Sequence, residues 1–383
     1  MGEPLVVNSE PVARTPLHAL HRALGGRMVP FAGYEMPLQY EAGIMAEHLH
    51  VRRDCGLFDV SHMGQMRLRP RSGRVQDAAL ALERLVPADI ASVAPGRQRY
   101  ALLTNEAGGV LDDMMVAHAG DALFVVVNAG CKLADLAHFQ RHLGADCEVE
   151  FLPDHALVAL QGPRAEAALS ALAPEAAAMR FMDFRTLSIL GVDCTVSRSG
   201  YTGEDGYEVG MPADRAEEIV QALLAQPGVL PAGLGARDSL RLEAGLCLYG
   251  SDLDQTITPV EASLEWAIQK SRRFGGARAG GFPGAQIVLE QIAGGAPRRR
   301  VGLRPEGRAP LRAGAPLFLP SRSDPVGHVS SGAFGPSLQA PVAMGYVPHE
   351  SSGAGTGLLA DLRGRMVPVT VSPLPFITPT YKR

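Results

Sequence analysis

Residues 196–212 read VSRSGYTGEDGYEVGMP. Between Gly200 and Glu208 the stretch holds three glycines, three carboxylates and two tyrosines, and it closes on an alternating YEVGM. Asp205-Gly206 alone supplies the turn chemistry of a hairpin, so a tight hairpin running into a strand is the local expectation. The remaining acid is surplus to a turn. By residue type alone Glu208 is an exposed strand glutamate, alternating with Tyr207 across the strand. The fold question is whether that acid is merely solvated or serves something bound.

Working outward, the 383-residue chain exceeds one ordinary core, which argues for two or three domains. Hydrophobic residues at 46% and charged residues at 20% match a soluble globular protein. A formal net charge of −4 offers no case for nucleic acid or a membrane surface as partner. The five cysteines, Cys55, Cys131, Cys147, Cys194 and Cys247, are odd in number and form no C-x-x-C, so they read as reduced, mostly buried thiols. The first twenty residues lack a signal-peptide pattern and no apolar run reaches membrane length, so a cytoplasmic location is expected.

Upstream, EAGIMAEHLHVRRDCG reads as a helix stopping at Gly56, and LFDVSHMGQMRLR as one alternating strand. GRVQDAALALERL is helical, and QRYALLTNEAGGVLDDMMVAHAG reads as two strands joined at Gly108-Gly109. ALFVVVNAG is a further strand, and HALVALQGPRAEAALSAL a strand then a helix. Downstream, ADRAEEIVQALLAQPG, ARDSLRLEAG and TPVEASLEWAIQ are helix candidates. KSRRFGGARAGGFPG (270–284) and AGGAPRRRVG look like linkers. From about residue 297, VGLRP, APLFLP, VGHVSSGAF, VAMGYV, GLLADL and MVPVTV read as strands of a small all-β barrel or sandwich.

Several chemistries are disfavoured. EHLH places His48 and His50 on different sides of a helix, and the pairs His18/His21 and His138/His142 lack a third ligand, so no metal site is expected. There is no phosphate-binding loop, dinucleotide fingerprint or nucleophile elbow. Carboxylate and arginine chemistry remains. Asp112 and Asp113 are strand neighbours and point to opposite faces; an inward one is either salt-bridged or functional. Arg237, Asp238 and Arg241 have the spacing of an ion-paired helix.

In combination, SGYTGEDGYEV, GLGARDSLRLEAGLCLYGSDLD, GGRMVPFAGYEMPLQY, GLFDVSHMGQ, TNEAGGVLDD, VVVNAG, TPVEASLEW and SSGAFGPSL closely resemble the T-protein of the glycine cleavage system, a tetrahydrofolate-dependent aminomethyltransferase family. The matching stretches run in order from about residue 15 to the final PLPFITPTYKR; Tyr34 stands where the family usually has tryptophan. The resemblance implies an α+β, three-domain, cloverleaf-like folate-binding fold with a C-terminal all-β barrel. It implies a discontinuous first domain of residues 1–58 with 148–285, an inserted domain of 59–147 and a C-terminal domain of 286–383. The local sequence pattern does not itself show that split.

The resemblance also implies roles. Glu208 corresponds to the folate-binding glutamate, because a carboxylate accepts in parallel from a pterin's amino group and ring N–H. Tyr201, Arg237 and Tyr381 correspond to further folate-site residues, with Tyr100 and Asn128 lining the site; Glu204 and Asp205 become turn residues. Asp112, the first of the pair, corresponds to the catalytic aspartate, and Asp113 to its structural partner. The implied co-substrate is tetrahydrofolate, without a metal. The implied partner is the lipoylated H-protein, for which the basic cluster Lys270, Arg272, Arg273 and Arg278 is a candidate dock and a solvated linker the plainer reading. A monomer is expected. Competing expectations are a tetrahydrofolate-dependent demethylase of a small substrate, a folate domain of an oxidase, and a non-catalytic folate-binding accessory protein.

Overall fold

The computed structural model describes residues 12–383; the first eleven residues of the expected 1–58 segment lie outside it. The described residues build three large sheets and one small one.

The first large sheet has six strands in the order Phe184–Ile189, Val192–Ser197, Gly206–Pro212, His155–Gln161, Cys55–Asp59 and Val229–Pro231. All its pairings are antiparallel except the last. Cys55–Asp59 therefore sits among strands that come about a hundred residues later. Its five residues are all buried, because one face meets the cluster around Leu57, Leu160 and Val209 and the other the cluster around Phe58, Ala159 and Leu240. The helices Ile44–Arg53 and Leu234–Glu243 cover the second face. The latter ends where Gly245 adopts φ +69°, a left-handed cap that lets the next segment leave at once.

The second sheet has five antiparallel strands in the order Gln98–Thr104, Val110–His118, Leu123–Val127, Gly64–Pro70 and Cys147–Phe151. Helices Val75–Leu82 and Lys132–Leu143 bury Leu82 and Phe139 against it. LFDVSHMGQMRLR is thus two strands in two sheets, not one. The break falls at Val60–Met63, where Asp59 accepts the Ser61 N–H at 2.9 Å, the Thr15 hydroxyl at 2.7 Å and a His21 contact at 2.9 Å. At the far end, Cys147–Phe151 pairs with Gly64–Pro70, so this sheet continues past residue 147.

The third sheet is a closed six-stranded barrel: Arg298–Pro305, Ala340–Pro348, Gly327–Gly335, Pro316–Phe318, Gly357–Leu362 and Arg365–Ser372. Each of the six expected runs is one of its strands. The small sheet joins Ala13–Arg14, Tyr34–Gln39 and Arg27–Phe31.

Three local expectations fail for tertiary reasons. TPVEASLEWAIQ is not a helix: Ser263 has φ +58°, the Glu261 carbonyl accepts from Arg300 N at 2.7 Å, and only Glu265–Ala267 forms a short 3-10 turn. Residues 270–284 are not a solvated linker. Arg272 is 4% exposed and donates to the Glu83 carbonyl at 2.7 Å, while Arg278 pairs with Glu83 and Asp89. That segment straps the second sheet's unit in place. The strands flanking 198–205 pair antiparallel, yet they are joined by that whole segment and not by a two-residue Asp-Gly turn.

Candidate functional site

A cavity of about 1030 Å3 lies where the three large sheets meet. Tyr100, Asn128, Tyr201, Glu208, Arg237 and Tyr381 all line it. So does Asp113, whereas Asp112 does not.

Strand alternation produces that reversal. On Val110–His118, Asp112 shares its face with Val110, Met114 and Val116, which are buried, and is itself 0% exposed. Asp113 shares the opposite face with Leu111 and Met115 and turns into the cavity. Asp112 Oδ2 accepts the Asn128 backbone N–H at 3.0 Å, and Asp112 Oδ1 accepts from Asn128 Nδ2 at 2.8 Å. Asp113 accepts the Tyr100 hydroxyl at 2.9 Å and Asn128 Nδ2 at 2.8 Å. Burial, then the nearby Asp112 charge, push the Asp113 carboxyl up to about 7 despite those two donors. The residue expected as the structural partner therefore occupies the cavity, and the one expected there is the buried partner.

Glu208 projects from Gly206–Pro212, directly opposite Ala159 and Ser197. It is half-buried on the cavity wall and has no cation within ion-pair distance among the described residues. Burial raises its carboxyl, with the Arg237 charge pulling the other way. Arg237 does not follow the ion-pair reading of its helix. Its guanidinium lies over the Tyr201 ring at 4.6 Å, and among the described residues it makes no salt bridge. Arg241 takes that structural role, bonding Asp238, Asp252 at 2.6 Å and the barrel's Ser331 at 2.9 Å. An arginine and a carboxylate left unpaired in one cavity are groups available to a ligand.

Helix placement is fixed from behind. Glu47 accepts the N–H groups of Tyr40 and Gly233, and His48 contacts Ser239 at 2.8 Å and Glu243 at 3.1 Å. The EHLH side chains thus lock the Arg237 helix to Ile44–Arg53. The surplus acids of 198–205 clasp the chain's end. Glu204 pairs with Arg52 at 3.0 Å and accepts the Thr380 hydroxyl at 2.6 Å, while Asp205 pairs with Arg198. That clasp sets Tyr381, which stacks on Phe181 with centroids 4.1 Å apart. Tyr201 donates its hydroxyl to the Cys247 carbonyl.

Of the proposed docking cluster, Arg272 and Arg278 are consumed by the strap, and Arg273 donates to the Ile268 and Glu265 carbonyls. Lys270 is exposed.

A model for the GCVT N-terminal domain matches residues 17–272, and one for the glycine cleavage T-protein C-terminal barrel domain matches 298–377. The chain belongs to the glycine cleavage T-protein family. It is 46% identical over 387 residues to the mitochondrial aminomethyltransferase of Homo sapiens, covering 99% of this chain and 93% of that protein. It is 43% identical over 393 residues to that of Dictyostelium discoideum, covering 98% and 95%. A crystal structure of the glycine cleavage system aminomethyltransferase T from Bartonella henselae superposes with a TM-score of 0.89 at 40% identity, covering 97% and 100%. The chain is an aminomethyltransferase, with the folate-binding fold of its family.

Sequence reasoning did not place Asp113 or Trp266 in the cavity. Trp266 lines it, 60% exposed, and stacks on Tyr100 with centroids 5.4 Å apart. Apolar residues flank the aspartate pair at both parities, so no alternation signal separates Asp112 from Asp113. Trp266 was masked by a helical reading of its segment.

Proposed function

We propose that this chain transfers the one-carbon unit of an aminomethyl group, held as an N,S-acetal on the lipoyl-lysine arm of the H-protein, to tetrahydrofolate. The products are 5,10-methylenetetrahydrofolate, ammonia and the dihydrolipoyl arm. In the balance, the carbon loses its C–S and C–N bonds and gains bonds to two folate nitrogens, while the thiol and ammonia leave with the protons.

Glu208 accepts the pterin's amino and ring N–H groups, and Arg237 supplies a fixed charge that keeps Glu208 ionised and orients it. Asp113 sits beside the reacting nitrogens, stabilising the iminium character that develops on the carbon as its bonds break. An ordinary aspartate is too weak a base to take a proton at neutral pH, but a carboxyl raised to about 7 is matched to that task, so Asp113 also accepts the proton released by the attacking amine. Trp266 and Tyr100 form an aromatic wall leading from solvent to Asp113, suited to a narrow carrier arm. One observation carries the reading: Asp113, raised by burial and held by Tyr100 and Asn128, shares a cavity with an unpaired glutamate and an unpaired arginine.

The residues assigned to the reaction all come from one chain, so a monomer suffices as the working unit; light scattering showing a dimer at assay concentration would contradict it. All five cysteines are free, which supports a reducing compartment such as the cytoplasm. Fractionation that confines the protein to an organelle would overturn that placement. The test of the reaction is incubation with aminomethylated H-protein and tetrahydrofolate, following methylenetetrahydrofolate and ammonia together. Equimolar appearance supports the proposal. Ammonia without the folate product, or neither, contradicts it.

A further inference from the structure

Asp135 lies in the first turn of Lys132–Leu143, 3% exposed, and its Oδ2 is buried without a hydrogen-bond partner. A native buried polar atom in that state calls for an explanation. Its side chain meets Asp112 from across the helix–sheet interface. The other titratable groups facing it are Asp113 on the same strand as Asp112, Cys131 just before the helix, and Tyr249 from the segment after the Arg237 helix. None of these is a cation, and among the described residues no basic nitrogen reaches ion-pair distance of Asp112 or Asp135.

Two carboxylates cannot share such a site both ionised. Asp112 already accepts two N–H groups from Asn128, so it is the member suited to carry the charge. A proton on Asp135 Oδ2 then gives that atom a partner, the Asp112 carboxylate. We propose that Asp135 is a positioning residue that remains protonated at neutral pH and donates its O–H to Asp112, which holds Asn128, which in turn aims Asp113 into the cavity. The chain of contacts is Asp135, Asp112, Asn128, Asp113. In agreement, burial followed by the Asp112 charge pushes the Asp135 carboxyl up to about 9. This inference rests on Asp113 being the working carboxylate; the proton on Asp135 is tested apart from it.

The sign of the pH effect follows from the donor. As pH rises through the Asp135 value the O–H is lost, two like charges face each other, and Asp113 loses its alignment. Asp135→Asn replaces the O–H by an amide N–H that does not titrate, while Asp135→Ala removes the donor. The expected result is that D135A lowers kcat about tenfold to a hundredfold with folate KM little changed. D135N keeps kcat close to wild type and loses the alkaline limb of the kcat–pH profile. Equal loss in both variants, or an unmoved alkaline limb in D135N, would overturn the proposal.

Infrared spectroscopy of the wild-type protein gives the independent readout. At about pH 8, above the Asp113 value and below that of Asp135, a protonated-carboxyl carbonyl band is expected, and its absence from D135N assigns it. If wild type and D135N share the same spectrum in that region, Asp135 carries no proton and the proposal fails. Wild-type turnover in Asp113→Asn would instead sink the reading of Asp113 and leave the infrared result standing.

Discussion

The Tyr100 hydroxyl donates to Asp113 Oδ2 at 2.9 Å from the neighbouring antiparallel strand. The register sets Leu102 opposite Asp113 and Tyr100 opposite Met115, which makes the two side chains diagonal neighbours on one face. That face opens on the cavity. The bond favours the ionised carboxylate and so works against the burial and the Asp112 charge that hold Asp113 near 7.

Tyr100→Phe removes that donor. With burial and Asp112 unopposed, the Asp113 value rises, and the acid limb of the kcat–pH profile moves to higher pH by about one unit. Activity is lost as pH falls through the raised value, so the variant is most impaired on the acid side and recovers above it. A limb that stays in place would detach it from Asp113.

Glu208→Ala removes the acceptor for two N–H groups, and charge-assisted hydrogen bonds are worth about 1.5–3 kcal/mol each. Folate Kd is expected to rise about a hundredfold or more, read by titration calorimetry. Arg237→Met removes the charge that keeps the Glu208 carboxyl down, so its affinity loss grows as pH falls. Unchanged binding in both would move the pterin elsewhere.

Arg241→Met removes one of the links between the first unit and the barrel. Asp252, fully buried, would keep the Leu248 N–H and the Ser330 and Ser331 hydroxyls but lose the one cation within ion-pair distance of it among the described residues. Removing one member of a buried pair costs about 3–5 kcal/mol. Urea unfolding should show that loss, and a change below about 1 kcal/mol would mean that water already solvates Asp252.

What the sequence reveals depends on how local the causes are. The six barrel strands are legible because short alternating runs and their Gly and Pro boundaries are decided within a few residues. The discontinuous sheet is not, since Cys55–Asp59 finds its partner in His155–Gln161, and nothing near Cys55 announces it. Arg272 and Arg278 look like linker charge until Glu83 and Asp89, far back in the chain, are placed beside them. Glu208, Arg237, Tyr201, Tyr100, Asn128 and Tyr381 line one cavity, although residue type alone made Glu208 an exposed strand residue and Arg237 an ion-pair partner. Which aspartate turns inward was decided by one step of strand parity that the flanking apolar residues do not encode.

On the proposed mechanism Asp113 works at the reacting carbon while Asp112 only supports it. Steady-state turnover of Asp113→Asn, with folate affinity measured on the same sample, tests it most directly. Folate binding is expected within about twofold of wild type, with kcat lower by about a hundredfold to a thousandfold, the scale of one preorganised group lost at a developing charge. Wild-type turnover in this variant would contradict it.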